Sequence, residues 1–177
     1  MEFYQIKSIE EFDSGERIIL DFAEKINEDE GVLAGNSSEL FALFLSENRE
    51  SDGYEKREFR VNLGSLHQYV LLKDNKTKYL GEVIPTDSIA VYSNNGNERF
   101  LKVARVKREF RPLLRIELLN ESKTCSIYCQ NATTVHFVTE KGVKTLNNLS
   151  TSDKILCAKL RSARHQGQSI EEYLLEL

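Results

Sequence analysis

Three histidines could move protons or hold a metal near neutral pH. His67 closes the run Phe59-Arg60-Val61-Asn62-Leu63-Gly64-Ser65-Leu66-His67, and His165 stands in the polar stretch Arg164-His165-Gln166-Gly167. Both are candidates for general acid–base work or for metal ligation, since imidazole titrates near neutrality and its neutral nitrogen coordinates metals. His136 lies in an apolar run and reads as a core or sheet-face histidine. A second constellation is Lys107-Arg108-Glu109-Phe110-Arg111-Pro112. Strand alternation puts Lys107, Glu109 and Arg111 on one face and Arg108 and Phe110 on the other. Such a face is either a solvated ion ladder or the wall of a polar pocket. The pocket reading requires it to point toward His67 or His165.

Other chemistries find no support. Cys125 and Cys129, four positions apart on an extended strand, stand about 13 Å apart, too far to share an ion. With Cys157 they make an odd number without a secretion signal, so they read as small buried hydrophobes rather than disulfide partners. Gly31-Val32-Leu33-Ala34-Gly35 is neither a dinucleotide fingerprint nor a P-loop. No nucleophile elbow, zinc-ligand spacing or aromatic–basic interleaving is present. A net charge of −4 argues against nucleic acid and anionic membrane as partners. No run is long and apolar enough for a membrane span, and MEFYQIKSIEEF is no signal peptide, so the cytoplasm is the expected location.

The elements that must position these residues read mostly as strands. Tyr69–Val91 lies over Val135–Cys157 without a gap, at a constant offset of 66 residues. The two segments share Lys78/Lys144, Leu80/Leu146, Asp87/Asp153 and Ile89/Ile155. Lys7, Ile9, Phe12, Glu16 and Ile18 fit the same frame and suggest a third, opening copy whose first strand is missing. A chain that starts inside its own repeat is expected to be half of something. The two aspartates are expected to accept hydrogen bonds from turn amides.

Arg17–Phe22 reads as a strand after a Ser14-Gly15 turn. Val32–Ala34 and Leu40–Leu45 form a hairpin, unless the second arm is a helix capped by Ser37 or Ser38; periodicity does not decide. Glu47–Glu58 is an exposed loop. Phe100–Phe110 and Leu113–Leu118 are two strands around Arg111-Pro112, with the proline confined to an edge, a strand start or a bulge. The tail from Gln168 to Leu177 is a helix or a last strand. The expected fold is mainly β with little helix, one domain over residues 1–177. It is barrel-like or a stacked assembly, built from about three pseudo-repeats (near 4–66, 67–132 and 133–177).

Several motifs in order carry a family resemblance: Gly15-Glu16-Arg17-Ile18, Glu30-Gly31-Val32-Leu33-Ala34-Gly35, the run from Phe59 to His67, Lys107-x-Glu109-x-Arg111-Pro112-Leu113-Leu114, Gln130-Asn131-Ala132 and Arg164-His165-x-Gly167. Together they resemble the C-terminal half of the archaeal-type (type II) 3-dehydroquinate synthases. The resemblance implies an NAD-dependent oxidative deamination of an aminated, deoxygenated seven-carbon ketose acid, followed by aldol ring closure. A sister branch cyclises a related amino ketone to an aminohydroxybenzoate.

By carry-over, His67 and His165 are acid/base candidates, and the ligands if a divalent metal is used. Lys107 and Glu109 would serve proton transfer or amine binding. Arg60, Arg111 and Arg164 are carboxylate clamps, with Asn62 and Asn131 as further substrate contacts. The implied partners are a small amino-keto acid and either a separate N-terminal-half subunit or further copies of this chain. Three departures stand out. Asp21-Phe22-Ala23 replaces the family's Asp-Thr-Cys. Thr133 and His136 stand where it has Glu and Arg, and Gln166 where it has Phe. They favour an alternative, a non-catalytic β domain of this descent that binds a small metabolite or a protein.

Overall fold

The computed structural model describes residues 1–51, 53–120, 123–160, 163–165 and 168–170, with residues 120, 123 and those beyond 160 described by backbone alone. The strands in chain order are β1 (Glu2–Phe22), β2 (Glu30–Gly35), β3 (Leu40–Leu45), β4 (Arg60–Ser65), β5 (Tyr69–Leu71), β6 (Thr77–Tyr79) and β7 (Ser88–Ser93). They continue as β8 (Glu98–Asn120), β9 (Lys123–Gln130), β10 (His136–Thr139), β11 (Gly142–Thr145), β12 (Lys154–Lys159), β13 (Ala163–His165) and β14 (Gln168–Ile170). Among the described residues, helix is limited to single 3₁₀ turns, and no helix is long and apolar enough to cross a membrane.

Antiparallel pairings run from β12 to β1, β8, β7, β2, β3 and back to β12, so six strands close a ring. Closure removes the edges that an open sheet would leave unpaired. The ring encloses an apolar core that includes Ile6, Val32, Phe44, Ile89, Leu101 and Ile155. The neighbouring positions Leu33, Phe41, Leu43, Leu45, Ala90 and Leu156 form a second buried cluster with Leu71. Every residue of β2 and β3 is therefore buried. A strand apolar on both faces has lost its alternation, so the Leu40–Leu45 segment carried no period to separate strand from helix.

Two long strands dominate. β1 and β8 pair along most of their lengths, with register shifts at Ile6/Ser8, Phe12/Ser14 and Asp21/Phe22. Ser14-Gly15 therefore follows a bulge at Asp13 within one 21-residue strand and is not a turn before a new one. Likewise Phe100–Phe110 and Leu113–Leu118 belong to one strand. Pro112 is tolerated because it pairs with Ser14 beside that bulge, and its carbonyl accepts from the Asn131 amide (3.1 Å) just where β9 ends.

The aligned segments share local chemistry. Each has a hairpin (β5/β6, β10/β11) and then one 3₁₀ turn, at Leu80–Glu82 and Leu146–Asn148. Asp87 accepts from the Ile84 amide (2.9 Å) and from Lys78 Nζ (2.7 Å). Asp153 accepts from the Ser150 amide (3.0 Å) and from Lys144 Nζ (2.6 Å). The suggested opening copy does not share this form. Lys7, Ile9, Phe12, Glu16 and Ile18 all lie on continuous β1, where Lys7 pairs with Glu117 and Glu16 with Arg108.

Candidate functional site

The second half of β1 lies between β4 and β8. Its register sets Asp21 against Arg60 and Ile19 against Asn62 on one side. On the other side Ile19 faces Lys107, Arg17 faces Glu109 and Gly15 faces Arg111. Alternation on all three strands brings these side chains to one face. Glu47, Tyr54 and Arg57 from the segment after β3, residues 130–134 after β9, and Asn147 build walls around it. The result is an open cleft of about 710 Å³.

Its charge is unbalanced. Arg17, Arg57, Arg60, Lys107 and Arg111 line it against only two carboxylates, Glu47 and Glu109. Three cations converge on Glu109: Arg17 (2.6 Å), Arg111 (2.7 Å) and Lys107 (3.2 Å). The Lys107 hydrogen bond, with help from Arg17 and Arg111, outweighs desolvation and holds the Glu109 carboxyl below its ordinary range. Arg57 pairs with Glu47 (3.1 Å). Arg60 is forked onto Asp21, with Nε donating to Oδ1 (2.6 Å) and Nη2 to Oδ2 (3.0 Å), and Arg105 Nε adds a bond to Oδ2 (2.7 Å). Burial pushes the Asp21 carboxyl up, but these guanidinium bonds prevail and its pKa is lowered.

Two buried groups that line the cleft remain unsatisfied. Arg17 is 4% exposed, and its Nε and Nη1 have no acceptor. Burial pushes this guanidinium's pKa down, against the attraction of Glu109. Asn62 is 3% exposed and donates from Nδ2 to Gln130 Oε1 (2.8 Å), while its Oδ1 has no donor. An unsatisfied buried polar group costs about 1–3 kcal/mol, and one that faces a cleft can be completed by a ligand.

Of the residues expected from sequence, the cleft gathers Arg60, Asn62, Lys107, Glu109, Arg111 and Asn131. Lys107, Glu109 and Arg111 are thus the wall of a polar pocket. The expectation that they share it with His67 is not met. His67 lies past the end of β4, beyond Gly64 (φ +80°), with Nδ1 3.0 Å from Ser65 Oγ and its ring edge-on to Tyr128. Burial pushes the His67 pKa down. The side chains of Arg164 and His165 lie outside the described residues. His136 is buried, with Nδ1 3.1 Å from the Thr134 carbonyl. Cys125, Cys129 and Cys157 are buried thiols.

Arg17, Glu47, Tyr54 and Arg57 were not foreseen at the site. Arg17 had a signal, because Arg17 and Asp21 alternate with Ile18 and Leu20 in an apolar strand, and a charge at such a position asks for a partner or a ligand. Glu47 had none. It opens a polar stretch that reads as a solvated loop, yet it is buried while much of that stretch is exposed.

Among the described residues no group of three His, Cys, Asp or Glu side chains is placed to hold a metal ion. Nor is there an α-helix whose N-terminus could face a dinucleotide pyrophosphate.

Residues 3–177 match the family model described as the 3-dehydroquinate synthase II C-terminal domain. A 3-dehydroquinate synthase of Methanosphaera stadtmanae is 35% identical over 181 residues, covering 99% of this chain and 50% of the relative. That of Methanocaldococcus jannaschii is 37% identical over 172 residues, covering 97% of this chain and 48% of the relative. For Natronomonas pharaonis the identity is 36%, over 97% of this chain and 44% of the relative. The chain thus spans about half the length of the curated relatives it matches. No solved structure matches it significantly.

Proposed function

We propose a function from one premise: the chain belongs to the 3-dehydroquinate synthase II family, as its C-terminal domain. It supplies the carboxylate-binding part of an active site that deaminates and cyclises an amino-keto sugar acid in aromatic biosynthesis. The observation that carries this reading is the excess of cations in one cleft of a protein whose net charge is −4. A carboxylate substrate is the small-molecule class that such a cleft selects.

The roles follow from the geometry. Arg60, held in place by Asp21, and Arg111, half exposed, add the positive charge that draws an acid into the cleft. Glu109 stays ionised, so it is suited to accept from a substrate ammonium and to hold Lys107 in place through their ion pair. Lys107 can then donate to the oxygen on which enolate charge develops during ring closure. Asn131 lies on the wall facing these groups and is suited to a substrate hydroxyl.

A dinucleotide would accept the hydride in the family reaction, and neither it nor a metal is given a role in the chemistry assigned above. In this reading the site is completed by the part of the relatives that this chain does not match, with a separate N-terminal-half subunit or a further copy of this chain as the proposed partner.

A chimera tests this reading. This chain replaces the matching half of the Methanocaldococcus jannaschii relative, and formation of 3-dehydroquinate from the amino-keto acid with NAD is followed. The folded chimera should turn over. Lys107→Met should cost about 10²–10⁴-fold in rate, the scale of a lost proton donor, whereas His67→Ala, away from the cleft, should leave the rate within twofold. A folded but inactive chimera would favour the non-catalytic binding domain instead.

A further inference from the structure

We propose that Arg17 and Asn62 together form the seat for a carboxylate bearing a neighbouring hydroxyl or ammonium group. This rests on the reading of the cleft as an acid-binding site and deepens it by naming the recognising pair. The other cations of the cleft are differently placed. Arg57 has Glu47 and Arg60 has Asp21, each in its own ion pair. Lys107 and Arg111 are about a third and a half exposed, where water solvates them. Arg17 alone is both buried and unsatisfied, and it shares its one carboxylate with two other cations. Its spare donors call for an anion.

Asn62 adds the second half of the recognition. It faces Ile19, two residues along β1 from Arg17, with a β4 bulge between the two positions, and both side chains line the same cleft. Gln130 holds the Asn62 amide by its nitrogen, which leaves the oxygen to accept. Sulfate or a simple fatty carboxylate, neither with a donor of its own, would satisfy Arg17 and leave Asn62 Oδ1 bare. A polyol would do the reverse. A hydroxy or amino acid completes both, and a site that leaves a buried polar atom unpaired with the wrong ligand discriminates strongly.

Calorimetric titration of the chain with three probes tests the pair: D-gluconate (carboxylate with hydroxyls), hexanoate (carboxylate alone) and D-sorbitol (hydroxyls alone). Gluconate should bind at least tenfold more tightly than either of the others. Arg17→Gln should weaken gluconate at least tenfold and bring it level with sorbitol. Asn62→Ala should bring gluconate level with hexanoate while hexanoate itself is unchanged. Should Arg17→Gln fail to fold, Arg17→Lys keeps the charge beside Glu109 but loses donors, and it should show the same loss of selectivity. Gluconate binding unchanged in the folded Arg17 variants would overturn the pair, as would equal binding of all three probes or of none by the unaltered chain. The wider reading falls separately, through an inactive chimera.

Discussion

Asp21 is the residue on which the cleft's architecture most depends, although it does not line the cleft. Its carboxylate is 4% exposed and carries the fork to Arg60, whose side chain is 10% exposed, together with a bond from Arg105, which is 59% exposed. Asp21→Ala removes one partner of a buried pair and strands the Arg60 guanidinium. Breaking such a pair costs about 3–5 kcal/mol, mostly because the remaining charge is left uncompensated. The Arg105 contact is solvent-screened and adds at most about 1 kcal/mol.

For a chain of this length, roughly 2–4 °C of melting temperature accompany each kcal/mol, so the variant should melt about 6–20 °C lower. Urea unfolding followed by far-UV circular dichroism measures the loss directly, with the denaturant slope unchanged if the compactness of both states is preserved. The double variant Asp21→Ala, Arg60→Met removes the stranded charge and should recover part of the loss. A loss below about 1 kcal/mol for Asp21→Ala, or a double variant less stable than that single one, would refute the reasoning.

Two further outcomes follow from the same physics. The folded pKa of Asp21, Asp87 and Asp153 lies below its unfolded value, Asp153 chiefly through Lys144. Their contribution to stability is therefore fully present above the ordinary carboxylate pKa of about 4 and is lost as the pH falls through the folded values. Carboxyl-carbon NMR titration should place all three midpoints below that value, and Lys144→Met should raise the Asp153 midpoint; an Asp153 midpoint at or above about 4 in the unaltered chain would contradict the assignment. Gly64 has φ +80°, and a Cβ there would lie 1.8 Å from the Tyr128 carbonyl oxygen. Gly64→Ala should thus cost about 1–3 kcal/mol from overpacking, plus roughly 1–2 kcal/mol for the left-handed backbone, read as a lowered urea midpoint. A midpoint equal to that of the unaltered chain would show that β4 and β9 do not approach so closely.

The strands were legible wherever one face was wet. Alternation along Lys107–Arg111 gave the right face for all three charges, because β8 is paired there but exposed on one side. The paired turns at Asp87 and Asp153 were legible because their chemistry is local: an aspartate three residues after the amide it accepts from needs no tertiary information. The Leu40–Leu45 segment was ambiguous because two apolar clusters bury both of its faces. The Ser14-Gly15 and Pro112 positions misled for a related reason. Turn-forming residues also make bulges, and only the partner strand tells the two apart. Here each stands opposite the other, so two local signals for a break together make one continuous, kinked ribbon.

The site was half legible, and the dividing line is the distance over which each group finds its partner. Lys107, Glu109 and Arg111 announced themselves as clustered charges, and Arg60 through the family resemblance. Arg17 and Asp21 act across 92 and 39 residues of sequence, through bonds that only the register of β1 against β8 and β4 creates, while Glu47 is held by Arg57 within the segment after β3. His67 does not line the cleft, because the turn after Ser65, closed by the Gln68 amide on the Ser65 carbonyl, carries it off the strand that delivers Arg60 and Asn62. The chemistry of the cleft is accordingly that of guanidinium groups and one shared carboxylate. In the proposed reaction a cleft built this way binds and orients an acid, and the part of the longer relatives that this chain does not match is the proposed source of further proton-transfer groups.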